Sequence, residues 1–267
     1  MGTVSENLSV MILTYNEEPN IARTLHALRW AREILIVDSF STDRTLEIVR
    51  ACPQVRVVQR KFDTFAGQCN FGLSQIESEW VLSLDADYEL TTELGDEIQK
   101  LSPAAETNGY RAAFVYCIYG KRLRGALYPP RTVLYRRTRA KYEDDGHAHH
   151  VVVEGRVEEL RARVLHDDRK PTATWLASQD RYASRELEKY RTTPVSALGR
   201  TDRLRLKRIV TPFLALVYAL FFKGLIFDGR PGFYYAFQRA IAEMILGMRL
   251  MEQDWKDDKP SGKDQQA

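Results

Sequence analysis

The sequence predicts an α/β fold: a mostly parallel sheet with helices on both faces, followed by a helical appendage. Three observations predict it. Short apolar runs rich in β-branched residues alternate with helical patterns over the first part of the chain. Three of those runs end on polar residues, at Thr14, Asp38 and Asp85. Beyond residue 193 the character changes to basic residues followed by a long apolar stretch. Ligands of open parallel sheets bind beyond the carboxyl ends of the strands, so the three loaded strand ends are expected to share one site.

Residues 8–14 (Leu-Ser-Val-Met-Ile-Leu-Thr) read as a buried strand. Asn16-Glu-Glu-Pro-Asn opens a helix expected to reach about Arg29, its acids near the positive end. Glu33 to Asp38 is a second buried strand, and Ser41-Thr42-Asp43 supplies an N-cap for a helix through Arg50. Val55 to Val58 is a third strand and Phe65 to Ile76 a helix. Trp80 to Leu84 is a fourth strand that runs directly into Asp85-Ala86-Asp87. From Gly109 to His166 the pattern changes to shorter, mixed strands (Tyr110–Tyr119, Thr132–Tyr135, Val151–Val153, Val164–Leu165) expected to complete the sheet. Trp175 to about Tyr190 reads as an amphipathic helix.

A chain of 267 residues with 44% hydrophobic and 28% charged residues can bury a sizeable core. The net charge of +3 is too small to indicate nucleic-acid binding, and no nucleic acid is expected as a partner. Cys52, Cys69 and Cys117 lack any CxxC spacing, which suggests neither a disulfide framework nor zinc and fits a reducing compartment. The opening MGTVSENLSV has no basic and apolar regions of signal-peptide type, so the bulk of the chain is expected in the cytoplasm. Neither GxGxxG after the first strand nor GxxxxGK[ST] is present, which weakens dinucleotide and P-loop readings.

Two carboxylates flanking one small residue after a buried strand, Asp85 and Asp87, can hold Mg²⁺ or Mn²⁺ together with phosphate oxygens. Such a pair is also a common solvated turn; its place after a fourth strand, level with two other loaded strand ends, favours the metal. Asp38 is expected to stay free to accept hydrogen bonds from a nucleoside, because Ser41 or Asp43 caps the following helix.

Thr14-Tyr15-Asn16-Glu17-Glu18, Val37 through Thr45 (Val-Asp-Ser-Phe-Ser-Thr-Asp-Arg-Thr) and Ser83-Leu84-Asp85-Ala86-Asp87 resemble the signature blocks of family 2 inverting glycosyltransferases, which have the GT-A fold. Asp145-Gly146-His147, Leu165 through Lys170 and Trp175 through Gln179 to Tyr182 are similar to the lipopolysaccharide-core β-1,4-glucosyltransferases of that family. The blocks cover roughly residues 8–190. The resemblance implies that Thr14, Tyr15, Glu17, Asp38, Gln68, Asn70 and Asp85 bind the donor and that Asp85 and Asp87 hold the metal. His166 then reads as a late metal ligand, a diphosphate contact or a satisfied core histidine. An inverting transfer needs a base for the acceptor hydroxyl. Glu143-Asp144-Asp145-Gly146-His147 reads as an acidic loop that supplies it, with Asp145 first and Asp144 second. His147, His149 and His150 crowd that loop without the further ligands zinc needs. The family usually has Gly at Phe40 and Arg44, a basic residue at Cys69 and an acid at Tyr88. The loop after the second strand is therefore expected to be shaped differently, and one phosphate contact to be absent.

Lys121 through Lys141 holds eight basic residues and no acid, a pattern expected to attract an anionic acceptor or membrane surface. Ile209–Phe227 is a 19-residue apolar segment interrupted by Pro212, Lys223 and Gly224. Arg200, Arg203, Arg205, Lys207 and Arg208 precede it, which points to an in-plane or re-entrant anchor on the inner face of the cell membrane. A helical hairpin that packs on the protein or forms a dimer is the plainer reading.

The expected whole is a GT-A α/β domain over residues 1–193, with a nucleotide half of about 1–108 and an acceptor half of 109–193. A helical, membrane-associated appendage over 194–255 and a disordered tail over 256–267 follow. Its expected activity moves a hexose from a UDP-sugar, with Mg²⁺ or Mn²⁺, to a lipopolysaccharide-core or other lipid-linked, anionic glycan. A polyprenyl-phosphate glycosyltransferase and a non-catalytic sugar-nucleotide-binding adaptor are the rivals.

Overall fold

The computed structural model describes residues 3–145 and 148–257, and at Asp145, Ala148 and His149 the backbone alone. After a 3-10 turn at Val4–Asn7 come β1 (Leu8–Thr14), α1 (Ile21–Ala27), β2 (Ile34–Asp38), α2 (Thr45–Arg50), β3 (Val55–Gln59), α3 (Phe65–Ser74) and β4 (Trp80–Asp85). Then follow β5 (Tyr88–Leu90), α4 (Thr92–Lys100), β6 (Thr107–Ala112), β7 (Phe114–Ile118), β8 (Lys121–Arg122) and β9 (Arg131–Arg136). The strands β10 (Ala140–Asp145), β11 (Ala148–Val153), β12 (Arg156–Glu159) and β13 (Val164–His166) complete the first of two compact units, which ends at Lys170.

A seven-stranded sheet in the order β12-β6-β9-β4-β1-β2-β3 forms its centre. Strands β3, β2, β1 and β4 are mutually parallel, and β9 runs antiparallel to both β4 and β6. The mostly parallel α/β architecture expected of the sequence is thus the one adopted. Strands β1 and β2 are apolar except at Ser9 and at their ends, Thr14 and Asp38, because both of their faces are covered. Val10, Ile12, Ile34 and Ile36 pack into one core, while Met11, Leu35 and Val37 pack into the other. Each such side chain contributes about 1.5–3 kcal/mol by leaving water. Register aligns the loaded ends: Thr14 lies opposite Asp38, and Leu13 opposite Asp85. A four-stranded sheet, β5-β13-β7-β8, and the β10-β11 hairpin flank this centre.

Not every local expectation holds. Asn16 takes a left-handed φ of 53° and the following residues form a loop, so α1 starts only at Ile21. Helix α2 starts at Thr45, whose N–H donates to Asp43 Oδ1 at 3.0 Å, while Ser41 and Thr42 serve the loop contacts. The single strand expected over 110–119 is two, β6 and β7, which separate at Ala113 into different sheets. The acidic stretch from Glu143 lies on strand β10 rather than in a loop; Gly146 and His147 are outside the described residues.

The second unit, from Pro171 onward, is helical: α5 (Thr172–Thr192), α6 (Arg200–Arg205), α7 (Thr211–Val217) and α8 (Gly229–Asp257). A π-helical turn, Tyr218–Phe222, continues α7, and a 3-10 turn, Leu225–Asp228, leads into α8. Helices α5 and α7 both pack on α8. Ala183, Leu246 and Leu250 fill the α5–α8 contact, and Arg205 reaches Glu243 at 3.0 Å. Gly232 permits the bend between α7 and α8, since a Cβ there would lie 1.9 Å from the Leu225 carbonyl oxygen. Among the described residues no single helix is long and apolar enough to cross a membrane. Thr211–Phe222 and Leu225–Asp257, bent by 71°, reach that length and composition only together.

Candidate active site

The loops after β1 and β2 are laced together by hydrogen bonds. Asn16 N–H donates to Ser41 Oγ (2.9 Å), Glu17 N–H to Thr45 Oγ1 (2.7 Å) and Glu18 N–H to Asp43 Oδ2 (3.1 Å). In return Thr42 N–H donates to Asn16 Oδ1 at 2.8 Å. The two signature blocks are therefore one structural unit. Asp38 stands beneath it, fully buried. Thr14 Oγ1 (2.9 Å) and Ser41 Oγ (2.5 Å) donate to Oδ1, while Ser41 N–H (2.9 Å) and Gln59 Nε2 (3.1 Å) donate to Oδ2. The expectation of a free Asp38 carboxylate is corrected: its acceptor sites are filled by the protein, because Asp38 rather than Ser41 ties the loop to the strand. Phe40 adopts φ 61°, a left-handed backbone that glycine favours and a side chain resists. Arg44, at φ −79°, needs no glycine.

Glu17 and Lys170 form a largely buried ion pair under these loops. Burial pushes the Glu17 carboxyl up to about 7, against the pull of Lys170. Burial also draws Lys170 down, but Glu17 and Asp168 outweigh it and hold the ammonium above its ordinary value. Asn20 Nδ2 donates both to Glu17 Oε2 and to Asp168 Oδ1, at 3.0 Å each. Asp167 extends the network, accepting from Gly120 N–H (2.9 Å) and Arg169 Nε (2.8 Å). Tyr15, in contrast, is exposed.

At the end of β4, Asp85 and Asp87 differ in environment. Asp85 is half-buried, and its carboxylate has no hydrogen-bond or ion-pair partner among the described residues. Asp87 Oδ2 lies 3.1 Å from His166 Nε2. Burial favours the neutral form of each, but the pairing outweighs it, lowering Asp87 and raising His166. His166 is ringed by Tyr116, Tyr128 and Tyr88, with ring centroids at 4.5, 4.7 and 5.1 Å, and its buried Nδ1 has no partner. Among the described residues no group of three or more His, Cys, Asp or Glu side chains is arranged to hold a metal by itself. An open carboxylate beside a carboxylate–imidazole pair does suit a hard divalent cation that takes its remaining ligands from substrate phosphates and water.

Gln68 and Asn70 are engaged by the protein. Gln68 Nε2 donates to Ser39 Oγ and to the Arg60 carbonyl, at 2.9 Å each. Asn70 makes a two-way clamp on the Tyr142 backbone, 3.0 Å in each direction, which fixes β10 against α3. Asp144, exposed on β10, accepts from Ala66 N–H near the start of α3 at 3.1 Å. The Asp145 side chain lies outside the described residues. Cys69 is buried; that burial, then Asp85 and Asp144 nearby, pushes its thiol well above the ordinary range. Asp85 and Asp144, on two different strands, thus both lie within electrostatic reach of Cys69.

The basic run from Lys121 to Lys141 is largely dispersed by folding. Arg136 pairs with Glu79 and lies 4.7 Å over the Trp80 ring, and Arg139 meets Glu154 at 3.5 Å. Arg131 is the member that turns inward, 5.2 Å over the Tyr128 ring and within the field of Asp85. Sequence reasoning named neither Arg131 nor Lys170 individually. Lys170 gains its place by meeting Glu17, far away in the chain, and Arg131 comes under the field of Asp85 only once β4 and β9 pair; local spacing signals neither.

The sequence profile of Glycosyl transferase family 2 matches residues 9–157. The chain is 27% identical over 260 residues to the lipopolysaccharide core biosynthesis glycosyltransferase LpsC of Rhizobium meliloti, covering 92% of each chain. It is 34% identical over 108 residues to the uncharacterized glycosyltransferase RT0209 of Rickettsia typhi, covering 40% of this chain and 37% of that relative's length. The crystal structure of S. aureus TarS 1–349 in complex with UDP superposes with a TM-score of 0.44 at 16% identity, covering 94% and 91% of the two chains. The family profile spans more than half of this chain, including both laced loops and the strand that ends on Asp85. The chain belongs to glycosyl transferase family 2.

Proposed function

We propose that this glycosyltransferase moves a hexose from a UDP-sugar to a lipopolysaccharide-core or other lipid-linked glycan, with inversion at the anomeric carbon. The observation that carries the reading is the open Asp85 carboxylate beside the Asp87–His166 pair, level with the ends of β1 and β2. The loops braced by Thr14 and Asp38 form the floor for the nucleotide, with Tyr15 and Glu17 at its edge; Gln68 and Asn70 hold the second wall. Asp85, Asp87 and His166 would hold Mg²⁺ or Mn²⁺, which would supply positive charge at the departing diphosphate. Arg131 adds a second positive charge on the Asp85 side. Asp145, or Asp144 beside it, takes the acceptor hydroxyl proton; the resulting oxygen attacks the anomeric carbon, and the bond to the diphosphate breaks. The likeness to LpsC over nearly all of both chains supports the core-glycan acceptor. The place of action is then the inner face of the cell membrane.

A thermal-shift screen of UDP- and GDP-sugars with and without Mn²⁺, followed by transfer to core oligosaccharide or undecaprenyl phosphate, tests this reading. A UDP-sugar should stabilise the chain only with the cation and be transferred to core oligosaccharide. Transfer to undecaprenyl phosphate alone would assign the polyprenyl-phosphate reaction. Binding of the donor without any turnover would assign an adaptor.

A further inference from the structure

The helical unit exposes an apolar surface larger than folding of the unit itself explains. On α7 and its π-helical continuation, Val210, Phe213, Leu214, Val217, Tyr218, Phe221 and Phe222 are all exposed, at helical i, i+3, i+4 spacing. Phe222 is 76% exposed, and Ile209 and Phe227 at the ends exceed 69%. The buried face of the same segment is Thr211, Pro212, Ala219 and Leu220, so the exposed stripe is not the one that packs inward. Helix α8 carries a second stripe: Phe233, Phe237, Ile241, Met244 and Met248 are exposed, with no charge among them. At 1.5 Å per residue that stripe runs about 22 Å.

The charge around these stripes selects the partner. Between Asp202 and Asp228 the chain has five basic residues and no acid. Arg205 and Arg208 are paired internally, with Glu243 and Asp254. Arg203 and Lys207 are exposed and form no ion pair among the described residues, and Lys223 lies 5.7 Å over the Tyr218 ring without an acid partner. A two-fold contact with a second copy would bring these cations toward their own equivalents. An anionic lipid surface would instead neutralise them while covering the apolar stripes. The 71° bend, and the lack of any single helix long enough to cross, favour lying in the interface over spanning it.

We infer that the exposed faces of α7, its π-helical turn and α8 dock in the plane of an anionic lipid surface, with Phe213, Phe221, Phe222 and Phe227 as the apolar anchors and Arg203, Lys207 and Lys223 on headgroups. The inference is independent of the catalytic reading, because vesicle binding requires no turnover. The test is flotation of the full chain with phosphatidylcholine vesicles and with vesicles containing phosphatidylglycerol. Binding is expected to the anionic vesicles and to fall about five-fold for each of Lys207→Gln and Lys223→Gln, which remove one positive charge apiece. Phe213→Ser/Phe221→Ser/Phe222→Ser should weaken it by roughly 100-fold or more with an unchanged thermal midpoint, since all three rings are exposed. Raising salt to about 1 M should release only the electrostatic share. Absence of flotation with anionic vesicles overturns the inference. So does a concentration-dependent dimer that the triple variant dissociates while vesicle binding stays unchanged, which would give the face to a second copy.

Discussion

Replacing Lys170 by Met tests the buried ion pair at the base of the site. The two side chains are 20% and 13% exposed, so removing the ammonium leaves Glu17 as a nearly buried, unpaired carboxylate. Breaking such a pair costs about 3–5 kcal/mol; the residual exposure and the Asn20 bond place this case near 3 kcal/mol. In a unit of this size each kcal/mol moves the midpoint by about 2–4 °C, so a drop of roughly 6–12 °C is expected at pH 8. The loss has a pH signature. In the wild type, Glu17 titrates at about 7 when folded against 4.5 in its ordinary state. Its proton uptake on folding therefore stabilises fully below 4.5, and that contribution is lost as pH rises through about 7. Without Lys170 the carboxyl moves further up and folds protonated over a wider range. The destabilisation by Lys170→Met should then be small near about pH 5 and largest at about pH 8. Melts by circular dichroism at the two pH values measure it, with Glu17→Gln/Lys170→Met as the closing corner of the cycle. An equal drop at both pH values, or no recovery in the double variant, would refute the buried pairing.

Other predictions follow from single contacts. Phe40→Gly should be tolerated, with a midpoint unchanged or slightly higher, whereas Phe40→Val should cost about 1 kcal/mol or more, because a β-branched residue resists a φ of 61°; thermal melts separate the two. Asn70→Ala removes both clamps on Tyr142 and should cost about 1–3 kcal/mol by denaturant unfolding. Asp145→Asn should lower transfer by roughly 10²–10⁴-fold with donor binding kept; a dead Asp144→Asn beside an active Asp145→Asn would move the base to Asp144. Because Asp87 raises His166, a proton competes with the cation for that nitrogen. Mn²⁺-dependent UDP binding by calorimetry should therefore tighten as pH rises from about 6 to 8, and a flat profile would remove His166 from the metal set.

The parallel half of the fold was legible because its strands are buried on both faces and so read as unbroken apolar runs. Val10 through Leu13 and Ile34 through Val37 admit few other readings, and Asp85 follows directly from the run that precedes it. The split at Ala113 was not legible, since no turn residue separates β6 from β7 and only their partners differ. The start of α1 was misplaced for a related reason. Asn16 has the chemistry of a helix cap, yet its side chain takes the Thr42 N–H of the neighbouring loop, and that choice depends on two strands being adjacent. Asp38 shows the same limit, because its filled acceptors come from Thr14, Ser41 and Gln59, which meet only after β1, β2 and β3 align. The resemblance named Asp38 and Asp85, which end β2 and β4. Which of them stands open and which is paired emerged from the structure.

The central claim, that the β4 carboxylates serve metal-assisted transfer from a nucleotide sugar, is tested most directly at Asp85. Asp85→Asn changes one oxygen for nitrogen at a side chain with no protein partner among the described residues, so the fold should be untouched. Turnover of a UDP-sugar with Mn²⁺ should fall by at least about 10²-fold at an unchanged thermal midpoint, and EDTA should bring the wild type to the same level. Full activity in Asp85→Asn, or wild-type turnover indifferent to EDTA, would contradict it.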